Sequence, residues 1–143
     1  MKFKQLSLFL ENKPGALSAP CKLLADHAIN LEALSVADTK FFGVLRILVK
    51  NWREAKELLE DNGYTVKVNE VVVLEVNHQA GSLAKILQII DQEGLNVEYM
   101  YACPASATGK AALVFRFDDP DKAEEKLAAN DQITLLEMDK IFL

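Results

Sequence analysis

Short alternating apolar runs and longer helical stripes follow one another along the chain. Between residues 5 and 10, every second position is a leucine, which is the period of a half-buried strand. A Pro-Gly pair then breaks the alternation. Beyond it, apolar residues recur at helical spacing, at Leu17, Cys21, Leu24 and Ala28. The chain therefore opens with a strand, a turn and a helix, in which Pro20 is tolerable only in the first turn.

Further elements complete the first half. We expect Asn30 to end the helix in a left-handed conformation, and Leu31–Ala37 and Phe42–Val49 to form two strands. Asn51 with Glu54 predicts a capped helix start, in which the Asn51 side chain accepts from backbone N–H groups. Gly63 ends that helix, and a fourth strand covers 64–68. The resulting β-α-β-β-α-β order is the split unit of ferredoxin-like domains.

The same order of elements then occurs a second time. His78-Gln79-Ala80-Gly81-Ser82-Leu83 lies 66 positions after Asn12-Lys13-Pro14-Gly15-Ala16-Leu17, in both cases after an apolar run. A fixed-period repeat predicts two similar domains, 1–69 and 70–143. A longer turn at 104–109, predicted to be mobile, separates the second and third strands of the second copy. Asp119-Pro120 predicts the capped start of its second helix.

Length, net charge and composition limit the classes of protein to which the chain can belong. The chain has 143 residues and a formal net charge of −5, which argues against general nucleic-acid binding. No apolar run approaches the ~20 residues of a membrane span, and no N-terminal segment resembles a signal peptide, so we expect a cytoplasmic protein. Cys21 and Cys103 are isolated and favour partly buried free thiols over a disulfide.

The Pro-Gly turn after the first strand is a candidate binding site. Glycine allows a ligand to approach the backbone closely, and the start of the next helix favours a carboxylate. Asn12 offers an amide and a carbonyl, which suit the two charged groups of a zwitterion. The alternative is a turn that only connects strand to helix. Likewise, Asn30 and Asn96 fit a helix exit as well as binding, and Glu32 and Glu98 fit solvent-facing strand positions.

Two motifs on this order of elements resemble the ACT domain. The first is Asn12-Lys13-Pro14-Gly15-Ala16-Leu17 with Ala28-Ile29-Asn30-Leu31-Glu32, and the second copy reads His78 to Leu83 with Gly94-Leu95-Asn96-Val97-Glu98. The resemblance covers nearly the whole chain as two tandem copies. It implies an α+β fold of two ferredoxin-like domains. Because the linker between the copies is very short and both sheets have edges to cover, we expect the two domains to share a continuous antiparallel sheet with helices on one face. It also implies a regulatory protein that binds free amino acids where two domains meet.

The resemblance assigns residues to two composite sites. One combines Asn12, Pro14, Gly15, Ala16 and Leu17 with Asn96 and Val97, and the other combines His78, Gly81, Ser82 and Leu83 with Asn30 and Leu31. His78 and Ala80 depart from the family pattern, which has Asn or Asp and then Pro at these places. We therefore expect the first loop to be the better ligand site.

Other functional classes find less support in the sequence. The two histidines complete no Ser-His-Asp or Cys-His set, no phosphate-binding glycine motif occurs, and helix capping explains Asp118, Asp119 and Asp121 without a metal. We expect no enzyme, no cofactor and no metal. Trp52, Phe41 and Phe42 are predicted to pack. The sequence predicts an amino-acid-binding regulator that forms a homodimer and controls an enzyme or another regulator, and the alternative is a ligand-free interaction or dimerisation module.

Overall fold

The computed structural model describes residues 1–104 and 109–142. The elements in these residues are, in chain order, β1 (Lys2–Glu11), α1 (Ser18–Asp26), β2 (Ala33–Asp38), β3 (Phe42–Leu48), α2 (Trp52–Asp61), β4 (Thr65–Val76), α3 (Ser82–Gln92), β5 (Val97–Ala102), β6 (Ala111–Phe117), α4 (Pro120–Ala128), β7 (Thr134–Leu135) and α5 (Met138–Ile141).

The chain folds as two compact units. The first unit is Lys4–Asn69, and the second comprises Met1–Phe3 with Glu70–Leu143. The strand order is β2-β3-β1-β4 in the first unit and β5-β6-β4-β7 in the second. Both correspond to one ferredoxin-like arrangement, with the first strand of each copy between the third and the fourth. The predicted pair of β-α-β-β-α-β units is confirmed.

The core of the first unit lies between one sheet face and two helices. Leu6 and Leu8 of β1 stand opposite Ile47 and Leu45 of β3, and all four side chains are buried. The helical residues buried in this cluster are Leu24 of α1 and Ala55 and Leu59 of α2. The alternating leucines read from the sequence therefore line the helix-covered face, since a period of two places them all on one side of the strand.

The second unit has the equivalent core and additional buried residues. Val72 and Leu74 pair with Phe115 and Leu113, and they pack in one cluster with α3 and α4. Val71 and Val73, which point to the other face of β4, are fully buried as well, which explains the most apolar run of the sequence.

The two chain ends meet in the second unit. The buried Phe3 ring packs edge-on against Phe142, with 5.6 Å between the ring centroids. Lys2 forms ion pairs with Glu70 and Asp121, and these hydrogen bonds raise the pKa of its ammonium. The terminal residues thus belong to the fold of this unit.

The end of α1 differs from the sequence prediction. The helix ends at Asp26, and Ala28, with φ of 55°, takes the left-handed conformation that was assigned to Asn30. The N–H of Ile29 donates to the Leu24 carbonyl at 2.9 Å across this turn. Gly94 occupies the equivalent position of the second copy, with φ of 69°. The prediction was wrong because the hydrogen bond from Ile29 to Leu24 closes the last turn around Ala28, and the propensity of Asn30 for a left-handed conformation does not move that turn.

Two other local predictions were wrong. The Asn51 side chain caps no backbone N–H and instead donates to the Glu54 carboxylate at 2.8 Å. The strand predicted over 64–68 does not stop before the second copy, because β4 continues to Val76. No proline or glycine interrupts this stretch, so nothing local ends the strand there.

Of the three aromatic residues predicted to pack, only Trp52 does so. Trp52 is half-buried against the first core, with the Arg53 guanidinium 4.6 Å from its ring centroid. Phe41 and Phe42, predicted to pack, are 68% and 58% exposed. Hydrophobic type alone does not decide burial when residues lie in a hairpin turn.

Several local predictions are confirmed. Pro20 is the third residue of α1 and is buried, and the Asp119 side chain accepts from the Lys122 N–H at 3.1 Å with Pro120 following. Cys21 and Cys103 are free, half-buried thiols. Most of the predicted mobile turn at 104–109 lies outside the described residues.

Candidate functional site

The first loop is an exposed turn that ends before α1 begins. The Asn12 N–H donates to the Phe41 carbonyl at 3.2 Å, and Ala16 closes a turn onto the Lys13 carbonyl at 3.2 Å. Gly15 has φ of 83°, and a Cβ at this position would meet no atom within 4 Å. The glycine therefore supplies a left-handed turn and leaves open space beside the backbone.

The second loop reaches its helix sooner. Gly81 has φ of 87°, again with open space beside it, and α3 begins at the next residue, Ser82. In the first copy, α1 begins three residues after Gly15, at Ser18. The start of α3 therefore lies directly beside the second loop, whereas the start of α1 lies further from the first. The N–H of Ser82 is already used within the loop, since it donates to the Gln79 carbonyl at 3.2 Å.

Within the first unit, the loop at Asn12 and the helix exit at Asn30 lie at opposite ends of the sheet. The loop at Asn12 lies beside the β2–β3 turn, whereas the chain after Asn30 joins the opposite end of the sheet, where Glu32 donates to the Leu48 carbonyl at 2.9 Å. Six strand residues separate the two ends, or roughly 20 Å at the usual rise.

The second unit separates its own loop and helix exit in the same way. The Asn96 carbonyl accepts from Asp118, beyond the far end of β6, while the loop lies beside Ala111 at its start. A site that joins either loop to Asn30 or Asn96 therefore needs two different units. That composite arrangement stays a prediction.

A cavity of about 660 Å³ lies within the second unit, beside the second loop. The end of β4, the loop and α3 form most of its lining, and Lys110 before β6 and the stretch before and into β7 complete it. The lining residues are Glu75, Val76, Asn77, Gln79, Ala80, Gly81, Ser82, Lys85, Ile86, Ile89, Lys110, Gln132 and Thr134. Its volume is within the ~300–1,000 Å³ range of small-molecule sites.

Only two of the residues assigned from the sequence, Gly81 and Ser82, line this cavity. The sequence reasoning missed its charged groups. Glu75 is only 12% exposed and pairs with Lys110 at 3.3 Å, while Lys85 lies one turn into α3. A position-by-position comparison of the two copies is a signal for two of them, because Lys85 corresponds to Ala19 and Glu75 corresponds to Phe9.

The first unit exposes several apolar side chains, which are divided between the two faces of its sheet. Phe9 and Phe42 lie on the face turned away from the helices, since Phe9 stands opposite Val44. Leu34 and Val36 stand opposite Ile47 and Leu45 and so lie on the helix-covered face. Phe41 and Phe42, in the turn between β2 and β3, are the most exposed, at 68% and 58%, and adjacent exposed apolar side chains of this kind are found at binding surfaces.

Two other candidate groups, Glu98 and Cys21, have structural explanations. Glu98 lies at an irregularity of β5, and its carboxylate is 3.4 Å from the Arg116 guanidinium. Partial burial raises the pKa of the Cys21 thiol, which keeps it protonated. Neither group offers an unused reactive centre to a ligand.

Similarity to known proteins was found at three levels. The family model described as an ACT domain pair matches residues 1–141. A crystal structure of a protein from Bacteroides thetaiotaomicron is 38% identical, with a TM-score of 0.86, and the match covers 95% of this chain and 92% of that chain. The ligand-free regulatory subunit of aspartate kinase from Thermus thermophilus has a TM-score of 0.65 at 20% identity, covering 88% and 89% of the two chains.

A match also exists to the acetolactate synthase small subunit of Buchnera aphidicola subsp. Baizongia pistaciae. It is 28% identical over 100 residues, which is 70% of this chain. The matched part spans about half, 55%, of that relative's length. Among the described residues, each helix is too short or too polar to cross a membrane.

Proposed function

The chain belongs to the ACT domain-pair family, and we propose that it is a regulatory protein that binds a small amino acid. Family membership supports the regulatory part of this proposal. The amino-acid part, a homodimeric state, a regulated enzyme as partner and a cytoplasmic location are our predictions.

The observation that carries the proposal is the repeated glycine turn. Gly15 and Gly81 occupy equivalent positions, both have φ near 85°, and neither has an atom within 4 Å of where a Cβ would stand. Each turn lies between a buried strand and the start of a helix, where the helix dipole favours a carboxylate. Open space alone is not specific to these turns, since Gly63 has it as well. The support for binding comes from the repetition of the same glycine turn at this place in both copies.

Thermal unfolding with a panel of amino acids tests the proposal. A ligand at about 100 times its Kd stabilises the folded state by ~2.7 kcal/mol. For a chain of this size, that corresponds to a rise in Tm of roughly 5–10 °C. Unchanged Tm across the whole panel at millimolar concentration would count against amino-acid binding.

A matched pair of variants links binding to the first loop. Gly15→Val places a β-branched side chain at a left-handed position and in the open space, and it should abolish the ligand-induced shift if the first loop holds the ligand. Gly63→Val is the control, because Gly63 has φ of 88° and equal space but lies outside both loops. It should lose similar stability and keep the shift. Full retention of the shift in a folded Gly15→Val protein would remove the first loop from the site.

A second candidate function rests on the two adjacent exposed aromatic rings, Phe41 and Phe42. A ligand-free interaction or dimerisation module would use Phe41 and Phe42, which are too exposed to support the fold. Exchanging both for serine should then reduce self-association in analytical ultracentrifugation and leave Tm nearly unchanged. If no amino acid of the panel raises the Tm and this double variant becomes monomeric, the interaction module is the better description.

A further inference from the structure

The first unit presents two exposed aromatic rings on the open face of its sheet, defined here as the face turned away from α1 and α2. Phe9 lies on β1 and Phe42 on β3, and their exposed fractions are 45% and 58%. We propose that these rings form a stacking platform for nucleobases, which binds a nucleotide or a short stretch of single-stranded nucleic acid. The platform uses residues of the first unit alone and is independent of amino-acid binding.

The strand register makes the two rings neighbours. Phe9 stands opposite Val44 and Glu11 stands opposite Phe42, so the rings are diagonal to each other on adjacent strands. Diagonal side chains of an antiparallel pair are about 7–8 Å apart, which is within reach of aromatic groups. Within the described part of the chain, neither ring packs against another aromatic ring. Each ring therefore remains open to a planar group of a ligand.

The second copy indicates that the fold does not require these rings. Phe9 corresponds to Glu75 at the offset of 66, and Phe42 corresponds to Lys110 at the offset of 68 that follows a two-residue insertion. The side chains of Glu75 and Lys110 form an ion pair at 3.3 Å, so residues at these two positions can reach each other. Since the other copy has charged groups here, the rings of the first copy call for an explanation other than folding.

The charge of the first unit suits an anionic ligand better than the charge of the whole chain suggests. Residues 4–69 contain nine Lys or Arg and eight Asp or Glu, which gives a formal net charge of +1. The second unit therefore accounts for the negative charge of the chain. One carboxylate lies beside the rings, that of Glu11, and it pairs with Lys13 at 2.9 Å.

Two lysines near the rings can take phosphates. The Ser7 hydroxyl donates to the Asn69 side chain at 3.0 Å, so Asn69 lies on the open face, and so does Lys67 two residues before it. Lys67 is exposed, and among the described residues its ammonium has neither an ion pair nor a hydrogen bond. Lys40, in the turn between β2 and β3, lies 5.3 Å from the ring centroid of Phe41. These ammonium groups add charge attraction to ring stacking.

Rings and cations on one sheet face favour a nucleotide over a second copy of the chain. The strand order places β1 and β3 in the middle of the four strands of this unit. Aromatic side chains on such a sheet stack unpaired bases, and positively charged groups follow the phosphates. In a twofold contact between two copies of this face, the same patch would meet itself. Lys67 and Lys40 of both copies would then approach one another and repel.

Fluorescence anisotropy of a labelled single-stranded oligomer of deoxythymidylate, titrated with the full chain, tests the proposal. Phe9→Glu combined with Phe42→Lys installs the ion pair of the second copy and leaves the formal net charge unchanged. This double variant should weaken binding at least about fivefold, because a stacking ring is lost for each base. The matched control is Leu34→Ser, since Leu34 is 43% exposed but lies on the helix-covered face. It should bind as the unaltered chain does.

The salt dependence of binding provides a second measurement that does not alter the rings. Lys67→Ala, at an exposed position, should reduce the slope of log affinity against log salt concentration by about one, because one phosphate contact is lost. Adenosine monophosphate as a competitor distinguishes the two sources of the ligand. Displacement of the oligomer at an equal nucleotide concentration assigns the platform to single nucleotides, and displacement only at a much higher concentration assigns it to nucleic-acid strands.

Three results would overturn the proposal. The first is that the unaltered chain binds neither the oligomer nor adenosine monophosphate at low salt. The second is that binding persists unchanged in both the double variant and Lys67→Ala. The third is that the double variant loses self-association in analytical ultracentrifugation while the unaltered chain binds no nucleotide, which would assign the rings to a contact between copies. None of these results bears on the amino-acid panel, so the proposed function is judged separately.

Discussion

Ala28 lies in a backbone conformation that its side chain disfavours. Its φ of 55° falls in the left-handed region, where a Cβ crowds the following carbonyl oxygen, at a cost of roughly 1–2 kcal/mol per residue. The second copy places Gly94 at the equivalent turn. In both copies the residue after this position donates to a carbonyl five residues before it, Ile29 to Leu24 at 2.9 Å and Leu95 to Ile90 at 3.1 Å.

We expect Ala28→Gly to stabilise the first unit by about 0.5–1 kcal/mol. Relief of the left-handed strain contributes the ~1–2 kcal/mol given above, and the added backbone freedom of glycine in the unfolded chain removes about 0.5–1 kcal/mol of it. Ala28 is exposed, so loss of its methyl group removes little buried contact. For a chain of this length, 1 kcal/mol corresponds to roughly 2–4 °C in Tm.

Trp52, the one tryptophan of the chain, makes the measurement specific to the first unit. It lies half-buried at the start of α2, so its fluorescence in a urea titration reports unfolding of this unit. The control is the reverse exchange, Gly94→Ala, which should destabilise the second unit by ~1 kcal/mol or more when followed by circular dichroism. A destabilised Ala28→Gly protein together with an unaffected Gly94→Ala protein would refute the assignment of strain to this turn.

Two other predictions concern the core and the thiol. Phe3→Ala should destabilise the second unit by roughly 3–5 kcal/mol in denaturant titration, because it removes a fully buried ring that packs against Phe142; a loss below ~1 kcal/mol would mean that the N-terminal residues are not part of this core. Burial raises the pKa of Cys21 above its ordinary value of 9.0, so the unfolded chain releases the thiol proton at lower pH than the folded chain does. This contribution to stability is present below pH 9 and is lost as the pH rises through the folded-state pKa. Cys21→Ala should therefore flatten the fall of the unfolding free energy over this interval, and an unchanged slope would contradict the assigned burial effect.

Much of the architecture was readable from local patterns. The alternation of Leu6, Leu8 and Leu10 identified a strand and its buried face, because the side-chain period of a strand is two. The stop at Gly63 and the cap at Asp119 were predicted correctly, since each depends on the backbone or hydrogen-bonding chemistry of one residue. The repeat, with its offset of 66 residues, predicted two domains because such an offset can be measured on the sequence alone.

One prediction failed for a local reason and two failed where distant parts of the chain decide the outcome. Asn30 has a high propensity for a left-handed helix exit, but the local turn that the Ile29 N–H closes onto the Leu24 carbonyl placed that conformation at Ala28. Phe41 and Phe42 were predicted to pack from their type, yet burial depends on whether another element covers them. The predicted break before the second copy is absent because strand pairing, which acts across the chain, maintains β4.

The sequence by itself determined the element order, the repeat and the two glycine turns, because each follows from residue spacing or from the conformational freedom of single residues. Only the tertiary structure decided which chemical groups surround those turns. It brought Glu75, Lys85 and Thr134 to one cavity, although they are spread over 60 positions of the chain, since strand pairing places β7 beside β4. Spacing along the chain carries no direct record of that proximity.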